Sequence, residues 1–179
     1  TDFTVLDLVL MGRNPHLRLL EWEGERDYEL CNYVMKLTDT IRLSDRKLHT
    51  LSGGERQRVT IAMALAQEAP ILLLDEPTAN LDIAHQSEIM NLVKQIQKQR
   101  SGAILIAMHD LTLAALYCDR VLMLERDGIC YEGLPSKVLT ADNIANVYDC
   151  EVCVFQHPQT STPVVVPLLV TPPTCNKNN

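Results

Sequence analysis

No stretch of this sequence approaches the roughly 20 consecutive apolar residues that cross a bilayer as a helix. The longest runs, Ile71–Leu74 and Ala103–Met108, are far shorter. No basic-then-apolar segment of the secretory kind opens it, so no leader of that type is expected within it. Basic residues are in deficit: Lys and Arg number 16 against 23 Asp and Glu, a formal net charge of −7. A protein built mainly to bind nucleic acid needs the opposite balance. The six cysteines in 179 residues fall short of the density of a disulfide-stapled secreted domain. The thiols are therefore expected to be reduced, mostly buried and cytosolic. The first residue is Thr1 rather than Met, which suggests a fragment or a processed piece. The remainder is ordinary. With 46% apolar and 22% charged residues the chain has a globular profile. Its length suits one domain on the usual prior of roughly 150 residues each.

Thr4–Met11 reads as a short helix, broken by Gly12-Arg13-Asn14-Pro15-His16. Leu30, Val34 and Leu37 place a second helix over Arg26–Leu37. Ser52 and Glu55 fit the S-x-x-E capping box and open a helix running to about Gln67, ahead of Pro70. Ile71–Asp75 is a continuous apolar run between prolines, which predicts a strand buried on both faces. Ile89, Leu92, Val93 and Ile96 form the apolar stripe of a helix over Ile83–Gln99. Gly102 ends it, Ala103–Met108 is expected as a second buried strand, and Leu111–Cys118 as a short helix. This βαβ order predicts a parallel sheet with a right-handed crossover. Arg120–Glu125 and Ile129–Glu132 flank Asp127-Gly128, a hairpin signal. Short helices are expected at Pro135–Thr140 and Asp142–Tyr148, and β segments at Glu151–Phe155 and Val164–Leu169. Pro172-Pro173 and Asn176–Asn179 read as frayed. No internal repeat or linker is visible, which predicts a single domain.

The chemistry concentrates between Leu51 and Asp82. Backbone N–H groups at a helix start are unpaired and partly positive, so they favour anions. Gly53 and Gly54 carry no Cβ to keep a phosphate away, and Ser52 adds a hydroxyl. Taken alone, this trio also fits a plain capped helix start. Asp75 closes an aliphatic strand, and ligands of parallel sheets sit off that edge. Magnesium takes carboxylate, water and phosphate oxygens, so Asp75 suits it. Glu76 beside it could accept a proton from an attacking water. Alone, the two also fit a pair of surface acids at a strand end. His109 follows the next strand and could donate to a terminal phosphate, or serve as a hydrogen-bonded residue at a strand terminus.

Together, Leu51-Ser52-Gly53-Gly54-Glu55-Arg56-Gln57-Arg58, Leu72-Leu73-Leu74-Asp75-Glu76-Pro77-Thr78, Asn80-Leu81-Asp82 and His109-Asp110 resemble the ABC ATPase family in order and spacing. Leu51, Ser52, Gly53, Gly54 and Glu55 resemble its signature motif, with Glu where Gln is commoner. Ile71–Asp75 resembles the Walker B strand and Glu76 the catalytic base. Ala79–Asp82 resembles the D-loop and His109 the switch histidine. Thr4–Leu17 and the tail Thr162–Leu168 are similar to importer ATPases for iron–siderophore, haem and cobalamin. The resemblance implies an α/β, P-loop NTPase-like parallel sheet with a helical subdomain. Residues 1–60 would carry that subdomain and the signature motif, and 61–179 the rest of the core. It implies ATP and Mg2+ as cofactors, with Asp75 toward the metal, directly or through water, and Ser52 and Gly54 toward the ATP of an opposite subunit. Asp82 would lie at the seam of a head-to-tail dimer. Transmembrane permease subunits and a substrate-binding protein are the further implied partners. The implied address is cytoplasmic, on the inner face of the cell membrane.

One departure from the family is large. No G-x-x-x-x-G-K-[ST] occurs in the sequence. The resemblance implies that this phosphate cradle, an adenine-stacking aromatic and the Q-loop glutamine lie upstream of Thr1. The isolated chain is therefore expected not to hydrolyse ATP. Two other readings compete: a non-catalytic partner lending Ser52–Glu55 to another subunit's ATP site, and a DNA-associated ABC-type ATPase. The second lacks its coiled coils and basic footprint here. Cys150-x-x-Cys153 with His157 falls short of the four ligands of a structural zinc site and reads instead as two buried thiols in an edge strand. Lys94–Arg100 reads as a solvated helix face.

Overall fold

The computed structural model describes residues 3–18, 20–125 and 128–169. The chain is α/β and divides into two compact units, Thr1–Met108 and His109–Asn179. The turn expected at Asp127 and the frayed tail from Pro172 lie outside the described residues.

In the first unit, Thr4 caps α1 (Val5–Met11) in a reciprocal box. The Asp7 N–H donates to its hydroxyl at 3.2 Å, and the Thr4 N–H donates to the Asp7 carboxylate at 2.8 Å. Helix α2 (Glu25–Leu37) turns Cys31, Val34 and Met35 inward. Both helices pack on α3 (Gly53–Ala66), whose Val59, Ile61, Ala62 and Leu65 are buried. Gly12 ends α1 against α3 so closely that a Cβ there would lie 2.4 Å from the Met63 carbonyl oxygen. Arg13 follows and is nearly fully buried. Its guanidinium donates to Asp27 at 2.8 Å, Glu68 at 2.9 Å and the Ala66 carbonyl at 2.6 Å, tying α1, α2 and the end of α3 together.

Strands β1 (Ile71–Asp75) and β2 (Ala103–Ala107) pair in parallel, in register from Ile71 opposite Ala103 to Asp75 opposite Ala107. Helix α4 (Ile83–Gln99) connects them and buries Ile89, Leu92, Val93 and Ile96, as its stripe predicts. The expected burial of both strand faces is corrected. Leu72 and Leu74 are buried and Ile104 and Ile106 pack on the same core, whereas Ile71, Leu73 and Leu105 are 55%, 68% and 53% exposed. Successive strand residues face opposite sides, and the described elements of this unit cover only one side. An unbroken apolar run states that both sides suit burial, not that both are buried.

The second unit holds α5 (Leu111–Tyr117), an antiparallel pair β3 (Val121–Glu125) and β4 (Gly128–Gly133), short helices α6 (Pro135–Val138) and α7 (Ala141–Tyr148), and a second antiparallel pair β5 (Val152–Gln156) and β6 (Pro163–Pro167). Its core gathers Ala115, Met123, Val138, Leu139 and Ile144, with Val152, Val154 and Val165 against it. That parity corrects the expectation of mostly buried thiols. Cys153 lies between the two core-facing valines and so points to the other side of the hairpin, half-buried. Cys150 precedes the strand, just after the left-handed Asp149, and is exposed. Of the five described cysteines only Cys31 is buried, and none of the five is in a disulfide.

Candidate functional site

Helix α3 begins as the capping box predicts. The Glu55 N–H donates to the Ser52 hydroxyl at 3.3 Å, and the Ser52 N–H donates to the Glu55 carboxylate at 2.9 Å. The Ser52 backbone N–H holds the Glu55 carboxyl below its ordinary range, with Arg46 nearby at 3.9 Å adding to the effect. Ser52 and Gly53 are exposed and Gly54 is buried. The Ser52 hydroxyl accepts from the helix and retains its own proton to donate outward. The first turn therefore presents a hydroxyl and N–H groups at the positive end of the helix dipole.

At the end of β1, Asp75 is exposed opposite Ala107. The next residue, Glu76, extends the ladder by donating its N–H to the Ala107 carbonyl at 3.0 Å. It does so at φ 43°, in the left-handed region. For a residue with a Cβ that conformation is uncommon and costly, and such positions cluster where function over-determines the backbone. The chain then turns through buried Pro77 and Thr78, and the Ala79 N–H donates back to the Glu76 carbonyl at 3.1 Å. Asn80 is a second left-handed residue, at φ 59°. Asp82 closes the loop as N-cap of α4.

The two helix starts meet. A Cβ on Gly53 would lie 3.4 Å from Leu81 Cδ2, and one on Gly54 would lie 2.9 Å from His85 Cδ2. A turn further on, Arg58 of α3 and Glu88 of α4 form an ion pair at 2.9 Å. The structure thus brings together Ser52–Glu55 and Leu81–Asp82, with Asp75 and Glu76 at the head of the same loop. His109 is exposed and opens the second unit, beside Asp110, the N-cap of α5. Sequence reasoning missed His85. The signal was present in the Asp82-x-x-His85 spacing at a helix start, where a cap carboxylate and a third-position side chain face each other. It also missed the Arg13 hub, whose partners are 14 and 55 residues away and leave no local pattern. Among the described residues no three potential His, Cys, Asp or Glu ligands cluster. Asp75 can still offer one carboxylate to an ion whose other ligands come from phosphate and water, the way magnesium is usually held.

Residues 7–79 match the family model described as ABC transporter. The ferric enterobactin transport ATP-binding protein FepC of Escherichia coli (strain K12) is 38% identical over 172 residues, which cover 96% of this chain and 64% of that protein. The petrobactin import ATP-binding protein FpuC of Bacillus anthracis is 42% identical over 158 residues, covering 87% of this chain and 57% of that one. A solved ABC transporter described as of the metal-chelate type, in an inward-facing conformation, superposes with a TM-score of 0.87 at 27% identity, over 94% of this chain and 68% of that one. The chain spans less than two thirds of the length of both named relatives.

Proposed function

We propose, on the premise that this chain belongs to the ABC transporter ATP-binding family, that it is part of the ATP-hydrolysing subunit of an importer for a metal chelate: an iron–siderophore complex, haem or cobalamin. Residues 1–60 form the helical subdomain with the signature motif, and 61–179 the remaining part of the nucleotide-binding core. The observation that carries this reading is the junction of the Ser52–Gly54 helix start with the loop from Asp75 to Asp82, which puts an anion-seeking N-terminus beside a loop headed by two exposed carboxylates.

In this reading Ser52 and Gly54 reach the γ-phosphate of ATP bound by a second ATPase subunit. Hydroxyl and N–H donors at a helix start suit it. Asp75 would hold Mg2+, through water or directly, and the ion would supply charge neutralisation to the transferred phosphoryl group. Glu76 orients the attacking water and accepts its proton, and its left-handed backbone sets the direction of that carboxylate. His109 senses the γ-phosphate. Asn80, Leu81 and Asp82 lie at the seam of the head-to-tail dimer. Permease subunits in the membrane take up the closure, a substrate-binding protein delivers the cargo, and the ATPase works on the cytoplasmic face of the cell membrane.

The test is Glu76→Gln in the full-length ATPase subunit that carries this chain. Hydrolysis is expected to fall by about a hundredfold or more, within the usual range for losing a general base, while ATP binding persists. Wild-type turnover in that variant would overturn the reading.

A further inference from the structure

We propose that His85 is a positioning residue for ATP hydrolysis, clasping Asp82 so that the D-loop and the two signature glycines are held in one register; the inference rests on the reading above. Asp82 Oδ1 receives two bonds from this one residue, from the His85 backbone N–H at 2.9 Å and from its ring Nδ1 at 2.8 Å. An ionised carboxylate only accepts, so Nδ1 is the donor and the ring's orientation is set. In that orientation the Cδ2 edge lies over Gly54, where a Cβ would come within 2.9 Å. Gly54 is therefore required for its contact with His85 as well as for access by a phosphate. Leu81 fills the matching position over Gly53, where a Cβ would lie 3.4 Å from its Cδ2. The residues on either side of Asp82 thus each seat one glycine of α3. In the proposed mechanism Gly54 reaches the γ-phosphate and the D-loop lies at the dimer seam beside it, and small misplacements at such a site cost rate.

The experiment compares His85→Ala, His85→Gln and His85→Asn with Glu76→Gln in the full-length ATPase subunit, reading kcat and KM for ATP. An asparagine amide nitrogen stands where imidazole Nδ1 stands, whereas a glutamine amide reaches toward Nε2. If the clasp matters, Ala and Gln lower kcat about tenfold with KM within about twofold, and Asn restores kcat to within about threefold of wild type. A role for ring bulk alone predicts the reverse order, since glutamine is the larger substitute, and that order would overturn the proposal. So would wild-type kcat in all three variants, equal losses in all three, or a rise in KM with kcat unchanged. Failure of Glu76→Gln to stop turnover sinks the ATPase reading itself, whereas its success with unaltered His85 variants sinks only the clasp.

Discussion

Arg13 shows how much one side chain can organise. It is 4% exposed, and its charge is answered by Asp27, itself 13% exposed, and by the partly exposed Glu68. Removing one partner of a buried pair leaves the other charge uncompensated, so Arg13→Ala is expected to cost about 3 kcal/mol, measurable as a lowered urea midpoint. The same contact has a pH signature. The Arg13 hydrogen bond holds the Asp27 carboxyl below its ordinary 3.8, and the Ser52 N–H holds Glu55 below its ordinary 4.5. Both folded values lie under the unfolded ones, so near pH 4 the unfolded chain binds more protons and stability rises with pH. The two contributions are complete above the unfolded values and disappear as pH falls through the folded ones. In Arg13→Ala the acid-side slope of stability against pH is expected to flatten, and an unchanged slope would contradict the assignment. Cys31 offers a third check. Burial pushes its thiol up to about 11, whereas Cys130 and Cys150 are exposed. At neutral pH an alkylating reagent is expected to label the exposed pair promptly and Cys31 only on unfolding, since the thiolate is the reactive form.

Among the elements, α1 meets α3 at very close range. A Cβ on Gly12 would intrude on the Met63 carbonyl and the Ala66 Cβ, at 2.4 and 2.9 Å. Backbone cannot yield there as a flexible side-chain end could. Gly12→Ala should therefore lower stability by about 1–3 kcal/mol, the usual cost of overpacking, seen as a drop in Tm. The helices were the legible part of this fold because their ends are written locally: Thr4 with Asp7, Ser52 with Glu55, and the apolar stripe ending at Ile96. The parallel pairing of β1 with β2 was legible too, since two aliphatic runs joined by a helix have few other arrangements. Strand burial was not, because Leu73 and Leu74 are chemically alike and differ only in what lies across from them. Within the site, residue types and spacing pointed to Ser52–Glu55 and Asp75–Asp82. The Asp82–His85 contact has a local signal in its spacing, but the contacts of His85 with Gly54 and of Leu81 with Gly53 depend on how two separate helix starts meet, which no local pattern encodes.

At the scale of the whole molecule, two observations bear on what residues 1–179 do when prepared alone. The β1–β2 face carrying Ile71, Leu73 and Leu105 is a contiguous apolar surface within the first unit, and such surfaces attract apolar ligands and other chains. The isolated chain is expected to enhance the fluorescence of an apolar dye, and Leu73→Lys to reduce that enhancement without unfolding α3. The second observation concerns catalysis. These residues contain the candidate signature, Walker B carboxylates and D-loop, but no G-x-x-x-x-G-K-[ST]. A phosphate cradle of that type supplies the backbone N–H groups and lysine that fix the β- and γ-phosphates, and phosphoryl transfer is mostly positioning and charge stabilisation. Asp75 and Glu76 then have no aligned γ-phosphate to act on, however well β1 presents them. Residues 1–179 alone should release no more phosphate from magnesium-ATP than the same chain carrying Glu76→Gln. Turnover well above that control would mean that the N-terminus of α3 and the loop after β1 suffice to hold ATP in a reactive pose, and the roles assigned to them would have to be redrawn.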